Sequence, residues 1–435
     1  MFTKLTILAL VPVVLAAQQA QMDTAAHPVS AAEAVKLAQQ NNLSAISSEN
    51  AVRTATNTIR STKAQLYPTL SLTAGQNISA GDRIGQSGTL VPYTPVWQYS
   101  TGLSSNVTLF DGGKTFADVR AARANVTSLQ AAEVNTDFSL ALQVKTQYNA
   151  ALAANEQLNA ARAQLLVAQS QLDMTIAKVN AGAANVADSL NSVVQVGNAQ
   201  FAILTADQSL RTANANLTRI AGTPYMITAQ PSDTIERPSA AIDSAAVLGL
   251  ALSGPQIRQN QAQIAAAHAT LSSARTAYFP TLSMGLSFSG NGTKALYGLN
   301  GSPYPYTRGA NFSINYPIFN RWQRENQISN AQISIENAQA TLKDNQLGAK
   351  QTIVTQLGLL HNAEAQVRIQ ENTIRANEEA LRVAQQRYQL GAGTFLDVLT
   401  SQSNLVSARQ TLIQARLNYR NARAQIEAVI GKDLP

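Results

Sequence analysis

The chain has no cysteine, which excludes disulfides, thiolate metal centres and acylation at an N-terminal cysteine. Histidine is scarce as well. His27, His268 and His361 stand far apart and lack the spacing of metal ligands. Charged residues make up only 13% of the 435 positions, and the net charge of +7 is spread along the chain without a block of one sign. Nucleic-acid binding calls for basic clusters with interleaved aromatics, so nucleic acid is not an expected partner. Beyond the N-terminus no run reaches the roughly 18 apolar residues of a spanning helix. Any membrane crossing must therefore use strands. Catalytic spacing is missing too. Gly113-Lys114-Thr115 looks like the end of a phosphate loop, but that motif needs glycine where Thr108 stands. The triplet is read as a strand-to-helix turn, and neither an enzymatic activity nor a cofactor is expected.

What the chain does have begins with an export signal. Lys4 supplies a positive charge, Leu5 to Leu15 are mostly apolar, and small residues follow at Ala16, Ala17 and Ala20. The pattern predicts a signal peptide over 1–17, with cleavage after Ala17 or Ala20. Alanine, glutamine, asparagine, serine and threonine dominate the rest. That composition suits long helices packed through alanine and strands that show one polar face to water.

The strongest signal is an internal repeat, which fixes architecture before any local reading. Gly182 and Gly391 stand 209 positions apart (391 minus 182), and the same offset carries Asp188 onto Asp397, Phe110 onto Phe319 and Gly222 onto Gly431. A basic residue, Lys178 or Arg387, opens both stretches. Tyr67-Pro68-Thr69-Leu70 recurs as Phe279-Pro280-Thr281-Leu282. The first repeat is assigned to 18–222, a linker rich in Pro, Ser and Thr to 223–238, and the second repeat to 239–435.

Each repeat carries the same order of elements. Ser30 with Glu33 forms a capping box for a short helix, and a second helix spans 43–66 until Tyr67-Pro68 stops it. The period then changes to two. Strands are expected at about 69–80 and 98–110 in the first repeat, and at about 281–291 and 306–319 in the second. Their length is what a tilted strand needs to cross a bilayer. Aromatics near their ends (Tyr67, Trp97, Tyr99, Phe110, Tyr278, Phe279, Tyr304, Tyr306 and Phe319) suit an interfacial girdle. Four strands cannot close a barrel, and open edges do not survive in lipid, so several chains must share one. Three copies give twelve strands.

Long helical hairpins follow at 114–220, with a tip at Gly182, and at 321–430, with a tip at Gly391. A helix of about 67 residues is about 100 Å long. Val398, Leu405, Leu412, Tyr419 and Ile426 recur every seven residues, with Ser401, Ala408, Ala415, Ala422 and Val429 between them. Such heptads impose a left-handed supercoil.

With strands, helices and tips placed, the chain resembles the TolC family of outer-membrane efflux proteins over nearly all its mature length. The resemblance implies an α+β membrane protein and a homotrimer: a twelve-stranded outer-membrane β-barrel, four strands per chain, continued by a long coiled-coil tunnel through the periplasm. It implies a passive exit duct of a tripartite efflux or type I secretion system in a Gram-negative bacterium. The partners implied are outer-membrane lipid, a periplasmic adaptor (membrane fusion) protein and an inner-membrane pump of the RND, ABC or MFS class.

Carried onto this sequence, the family's periplasmic aperture falls on Asp188, Asp397 and Tyr388. The adaptor-contacting tips fall on Gly182, Val186, Gly391, Thr394, Phe395 and Val398. The arginine of the family's closing lock falls on Gly393, and Arg387 is the nearest substitute. The residues themselves leave alternatives open. Asp188 and Asp397 can ring a pore or cap the helix that follows each turn. Phe395 can face an adaptor or pack against a neighbouring hairpin. The alternative to a duct is a soluble periplasmic coiled-coil scaffold whose strands form a small cap.

Overall fold

The structure is a computed structural model that describes residues 26–78, 81–84, 88–93, 95–230, 243–293 and 304–434. The expected signal peptide lies outside the described residues, as do 231–238 of the expected linker. The order is β1 (His27–Val29), α1 (Ala31–Asn41), α2 (Leu43–Ala64), β2 (Thr69–Ile78), β3 (Gly81–Ile84), β4 (Leu90–Tyr93), β5 (Trp97–Phe110), α3 (Lys114–Asn180) and α4 (Val186–Ala221). Then come β6 (Ile227–Ala229), α5 (Ser244–Ala251), α6 (Pro255–Arg275), β7 (Thr281–Gly292), β8 (Tyr306–Asn315), α7 (Gln323–Gln389) and α8 (Phe395–Ile430). The helices α3 and α7 each have 67 residues, and α4 and α8 each have 36. Among the described residues no helix is long and apolar enough to cross a membrane.

The chain divides into two compact units, to both of which α3, α7 and α8 contribute. The first comprises described residues of 1–41, 144–235 and 367–417. Its α1 starts where Ser30 Oγ accepts the Glu33 N–H at 3.2 Å. The strands β1 and β6 pair in parallel, His27 beside Ile227, and bury Val29, Ile227 and Ala229. Tyr148 of α3, itself buried, accepts the Gln230 N–H through its hydroxyl at 3.3 Å. Near the chain turns, Leu381, Ala384, Tyr388, Phe395, Val398 and Leu405 form one apolar cluster.

The second unit comprises 42–143, 236–366 and 418–435. One apolar core joins Val247 and Ala251 of α5, Ile353, Leu357 and Leu360 of α7, and Tyr419, Ala422, Ile426 and Ile430 of α8. The same unit holds an antiparallel sheet of order β2-β5-β7-β8, with β2 and β8 as its edges. The register sorts its side chains cleanly, because successive residues of a strand point to opposite faces. Leu72 lies opposite Leu103, Leu103 opposite Phe288, Met284 opposite Phe312 and Leu282 opposite Ile314. Ser71 lies opposite Ser104, Ser104 opposite Ser287 and Ser283 opposite Ser313. One face is therefore mainly apolar, with Arg308 opposite Phe288 as its charged member, and the other is built mainly of Ser, Thr, Asn and Gly. The apolar face is not covered by the described residues: Leu70, Leu72, Phe312 and Ile314 are all more than two-thirds exposed.

All four strands meet helices at one end of this sheet, marked by Thr69, Phe110, Thr281 and Asn315. The strand-to-helix turn before α3 uses Gly112 and Gly113 in the left-handed region, at φ 69° and 81°. Asp111 caps the helix, its Oδ2 accepting the Thr115 N–H at 2.7 Å and its Oδ1 the Gly113 N–H at 2.9 Å. The turn before α7, 209 positions on (321 minus 112), repeats this backbone with Arg321 and Trp322, at φ 57° and 62°. Left-handed backbone costs a residue with a Cβ roughly 1–2 kcal/mol.

Three expectations are corrected. The strand expected over 306–319 ends at Asn315, because Pro317 has no N–H to donate to a ladder. Between β2 and β5, where no strand is expected, stands a two-stranded ladder, β3 with β4. The linker expected from 223 contains β6, whose Ile227 and Ala229 are buried.

Candidate functional site at the helical turns

The two helical turns share one backbone design. In the first, the Ala183 N–H donates to the Lys178 carbonyl at 2.8 Å and the Gly182 N–H to Val179 at 3.0 Å. In the second, the Ala392 N–H donates to the Arg387 carbonyl at 2.8 Å and the Gly391 N–H to Tyr388 at 3.2 Å. This is the Schellman termination, which needs a left-handed residue after the helix. Gly182 and Gly391 supply it at φ 72° and 73°. Space is open where a Cβ would stand at either glycine, so handedness and not packing selects them.

The outgoing helices are capped differently. In the second turn Thr394 and Asp397 make a reciprocal box. The Thr394 hydroxyl oxygen accepts the Asp397 N–H at 3.2 Å, while Asp397 Oδ2 accepts the Thr394 N–H at 2.9 Å and its O–H at 2.8 Å. The Thr394 N–H and then its hydroxyl hold the Asp397 carboxyl below the usual carboxylate range, and the Arg387 charge adds to this. In the first turn Asn185 Oδ1 accepts the Ala187 N–H at 3.1 Å. Asp188 has the place that Asp397 has in the other turn, but its carboxylate is used elsewhere.

That carboxylate accepts the hydroxyl of Tyr388, from the other hairpin, at 3.3 Å. Tyr388 is only 5% exposed and sits in a small network. Lys178 Nζ lies 4.1 Å from its ring centroid, in cation–π geometry. The same ammonium donates to the Tyr388 carbonyl, at a helix C-terminus where positive charge is favoured. The Phe395 ring packs against Tyr388 with centroids 5.7 Å apart. Burial, followed by the Asp188 carboxylate, pushes the Tyr388 hydroxyl above its ordinary pKa, so it stays a donor at neutral pH. Lys178, Asp188 and Tyr388 thus tie the two hairpins of one chain together. Further along, Arg409 pairs with Glu378 at 2.9 Å, and Arg416 reaches Glu371 at 3.5 Å and Glu156 at 3.9 Å.

The expected aperture residues therefore separate. Tyr388 and Asp188 meet, whereas Asp397 closes its own cap. Of the expected tip residues, Gly182, Val186, Gly391 and Thr394 are exposed. Phe395 and Val398 are not: they are 6% and 0% exposed. Phe395 thus takes the second of its two expected places, packing inside the chain, and Val398 shares it: they lie three residues apart on the face of α8 that packs with Tyr388. Gly393, expected to stand at the position of the family's arginine, has no free room, since a Cβ there would stand 2.9 Å from that of Arg387.

Sequence reasoning missed three residues here. Leu390 and Leu396 are 84% and 69% exposed. Each stands two places from a seam residue, Tyr388 or Val398, which directs it outward. Lys178 was visible only as one of the basic residues that mark the repeat. No group of three or more His, Cys, Asp or Glu gathers into a possible metal site among the described residues.

Comparison with known proteins agrees with this architecture. A sequence model of the outer membrane efflux protein family matches residues 15–223 and 249–432. The solvent efflux pump outer membrane protein SrpC of Pseudomonas putida is 28% identical over 183 residues, covering 42% of this chain and 38% of SrpC. The match thus spans less than half the length of that relative. Among solved structures, CusC superimposes with a TM-score of 0.76 at 21% identity, covering 94% of both chains. The open state of the outer membrane channel MtrE of Neisseria gonorrhoeae gives a TM-score of 0.72 at 21% identity, covering 92% of this chain and 89% of MtrE.

Proposed function

Because the chain belongs to the outer membrane efflux protein family, a family of transport channels and not of enzymes, we propose that it is the passive outer-membrane duct of a tripartite efflux or type I secretion system. One observation carries this reading: a four-stranded sheet whose apolar face and two edge strands the described residues leave uncovered. In lipid the apolar face is satisfied, but the open backbone groups of β2 and β8 are not. Copies of the chain answer this need. The sheet has four antiparallel strands, so β8 of one copy meets β2 of the next antiparallel and the pattern continues without a break. Three copies make twelve strands with the Ser/Thr/Asn/Gly face lining a wet lumen, which suits a channel. The scaffold alternative gives that apolar face no partner.

The repeat, one unit used twice over 18–222 and 239–435, supplies each copy with two hairpins. At their tips, Tyr388, Asp188 and Lys178 hold the pair in a closed arrangement, and opening parts the hairpins and breaks these contacts. Lys178 takes the cationic part that the family gives to an arginine at the position of Gly393. Three copies of Asp397 around one axis stay ionised and favour cations at the mouth. Gly182, Val186, Gly391 and Thr394, joined by Leu390 and Leu396, form the contact surface for a periplasmic adaptor. That adaptor links the duct to an inner-membrane pump, which supplies the energy and selects the cargo.

The test is single-channel recording in planar bilayers, with the mass of the detergent-solubilised complex measured in parallel. Three chains per particle and small, flickering currents are expected. A stable monomer that a carbonate wash strips from membranes would overturn the duct in favour of the scaffold.

A further inference from the structure

Beyond the turns, α3, α4 and α8 border a groove of about 530 Å³ within the first unit. Gln164, Gln195, Asn198, Thr400, Gln402 and Asn404 line it, and none of its lining side chains is charged. Gln402 is the unusual member. It is only 5% exposed, yet its Nε2 finds no hydrogen-bond partner among the described residues. A buried donor without an acceptor is a cost to the fold. A buried amide can set the register of packed helices, but it does so by pairing across the seam, and this amide nitrogen does not pair. What it lacks is an acceptor from outside the chain. Thr400 is placed the other way. Its hydroxyl proton goes to the Leu396 carbonyl at 2.8 Å, which leaves its oxygen to accept.

We propose that this groove binds an uncharged solute carrying several hydroxyl or amide groups, held on the wall of the passage just inside the mouth. Thr400 and Asn404 follow Asp397 by three and seven residues, which keeps them on its side of α8. The groove therefore borders the path that Asp397 faces. Its chemistry selects the class of solute. A carboxamide offers a donor and an acceptor side by side, the pattern that a sugar diol or an amide returns. An ion entering the groove meets no countercharge there to offset its lost hydration. Leu399 and Val406 add apolar wall, and a volume of this size suits a small molecule. A helix of a second copy has its backbone bonds satisfied internally and is a poor source of the missing acceptor. The proposal rests on the reading of the chain as a duct with Asp397 at its mouth.

The neutral probes are maltotriose and triacetylchitotriose, and the charged comparison is maltotrionate. Each is titrated calorimetrically into the full-length assembly in detergent, while currents of the same preparation are recorded in planar bilayers. Wild type is expected to bind a neutral probe and to bind maltotrionate more weakly. Gln402→Leu is expected to weaken the neutral binding about tenfold. Its melting temperature should stay level or rise, because the substitution removes an unpaired buried donor. Asn198→Leu, at an exposed position on α4, should weaken binding without touching the fold. A wild type that forms channels and binds neither neutral probe, or binds maltotrionate as tightly, would overturn the proposal and leave the duct standing. Binding that survives both substitutions would overturn it as well. Dissociation of the copies in Gln402→Leu would assign the groove to contact between chains, against the proposal. An assembly that passes no current would bring down the duct reading, and the placement of the solute in a passage would fall with it.

Discussion

Tyr388 uses three parts of one residue: its hydroxyl bonds Asp188, its ring faces Lys178 and its carbonyl accepts the lysine ammonium. The parts can be removed separately. Tyr388→Phe keeps the packing and loses one hydrogen bond, and Lys178→Met loses the cation. Each is expected to lengthen and enlarge single-channel openings, whereas Arg387→Met, which alters the exposed counterpart of Lys178, should leave them nearly unchanged. Asp397 is expected to behave as a cap that is sensitive to acid. Its carboxyl is held below the ordinary value of 3.8, first by the Thr394 N–H and then by its hydroxyl. A depressed pKa gives stability that is fully present above the ordinary value and is lost as pH falls through the depressed one. The difference in melting temperature between wild type and Asp397→Asn should be constant at neutral pH and shrink below that value. At this scale the sequence was read unevenly. Val398 was visible as a heptad residue, which predicts burial. Nearness to a turn suggested exposure for Val398, and packing across the hairpin overrode it. The tie between Lys178 and Tyr388 joins positions 210 apart, and no local pattern reports such a contact.

Among the elements, the sheet was the most legible because its period-two alternation spans whole strands. The same alternation makes a sharp prediction. Leu72→Arg places a charge on the apolar face and should cost about 2–4 kcal/mol if that position lies near the bilayer midplane. Thr73→Arg, one residue away on the polar face, should assemble normally and alter only ion selectivity. Heat stability of the assembled complex on a gel reads the first, and reversal potential reads the second. Helix stops were legible where chemistry enforces them, as at Tyr67-Pro68 and the two turn glycines. Removing the cap at the second turn by Thr394→Ala should cost about 1 kcal/mol, measured as a lower melting temperature. The short strands β1 and β6 were not legible. Three residues carry no period, and their pairing joins positions 200 apart (227 minus 27). The bend before α7 was hidden for another reason: its backbone is announced by glycine in the first repeat and disguised by Arg321 and Trp322 in the second.

For the whole molecule, the repeat led to the duct reading more directly than any single motif did. Two sets of helices with equal lengths, 67 and 36 residues in each half, give hairpins that are alike in backbone and unlike in side chains. The expected assembly of three chains therefore has six tips of two kinds, and only one kind carries the tyrosine. Mixed assemblies of wild-type and Tyr388→Phe chains should show conductance that steps with the number of variant copies. Lys178, Asp188 and Tyr388 belong to a single chain, and this bears on timing. A contact inside one polypeptide forms at a rate independent of concentration, so a newly exported chain can fasten its two hairpins before it meets another copy. Dilution that separates the copies would leave the fastening in place.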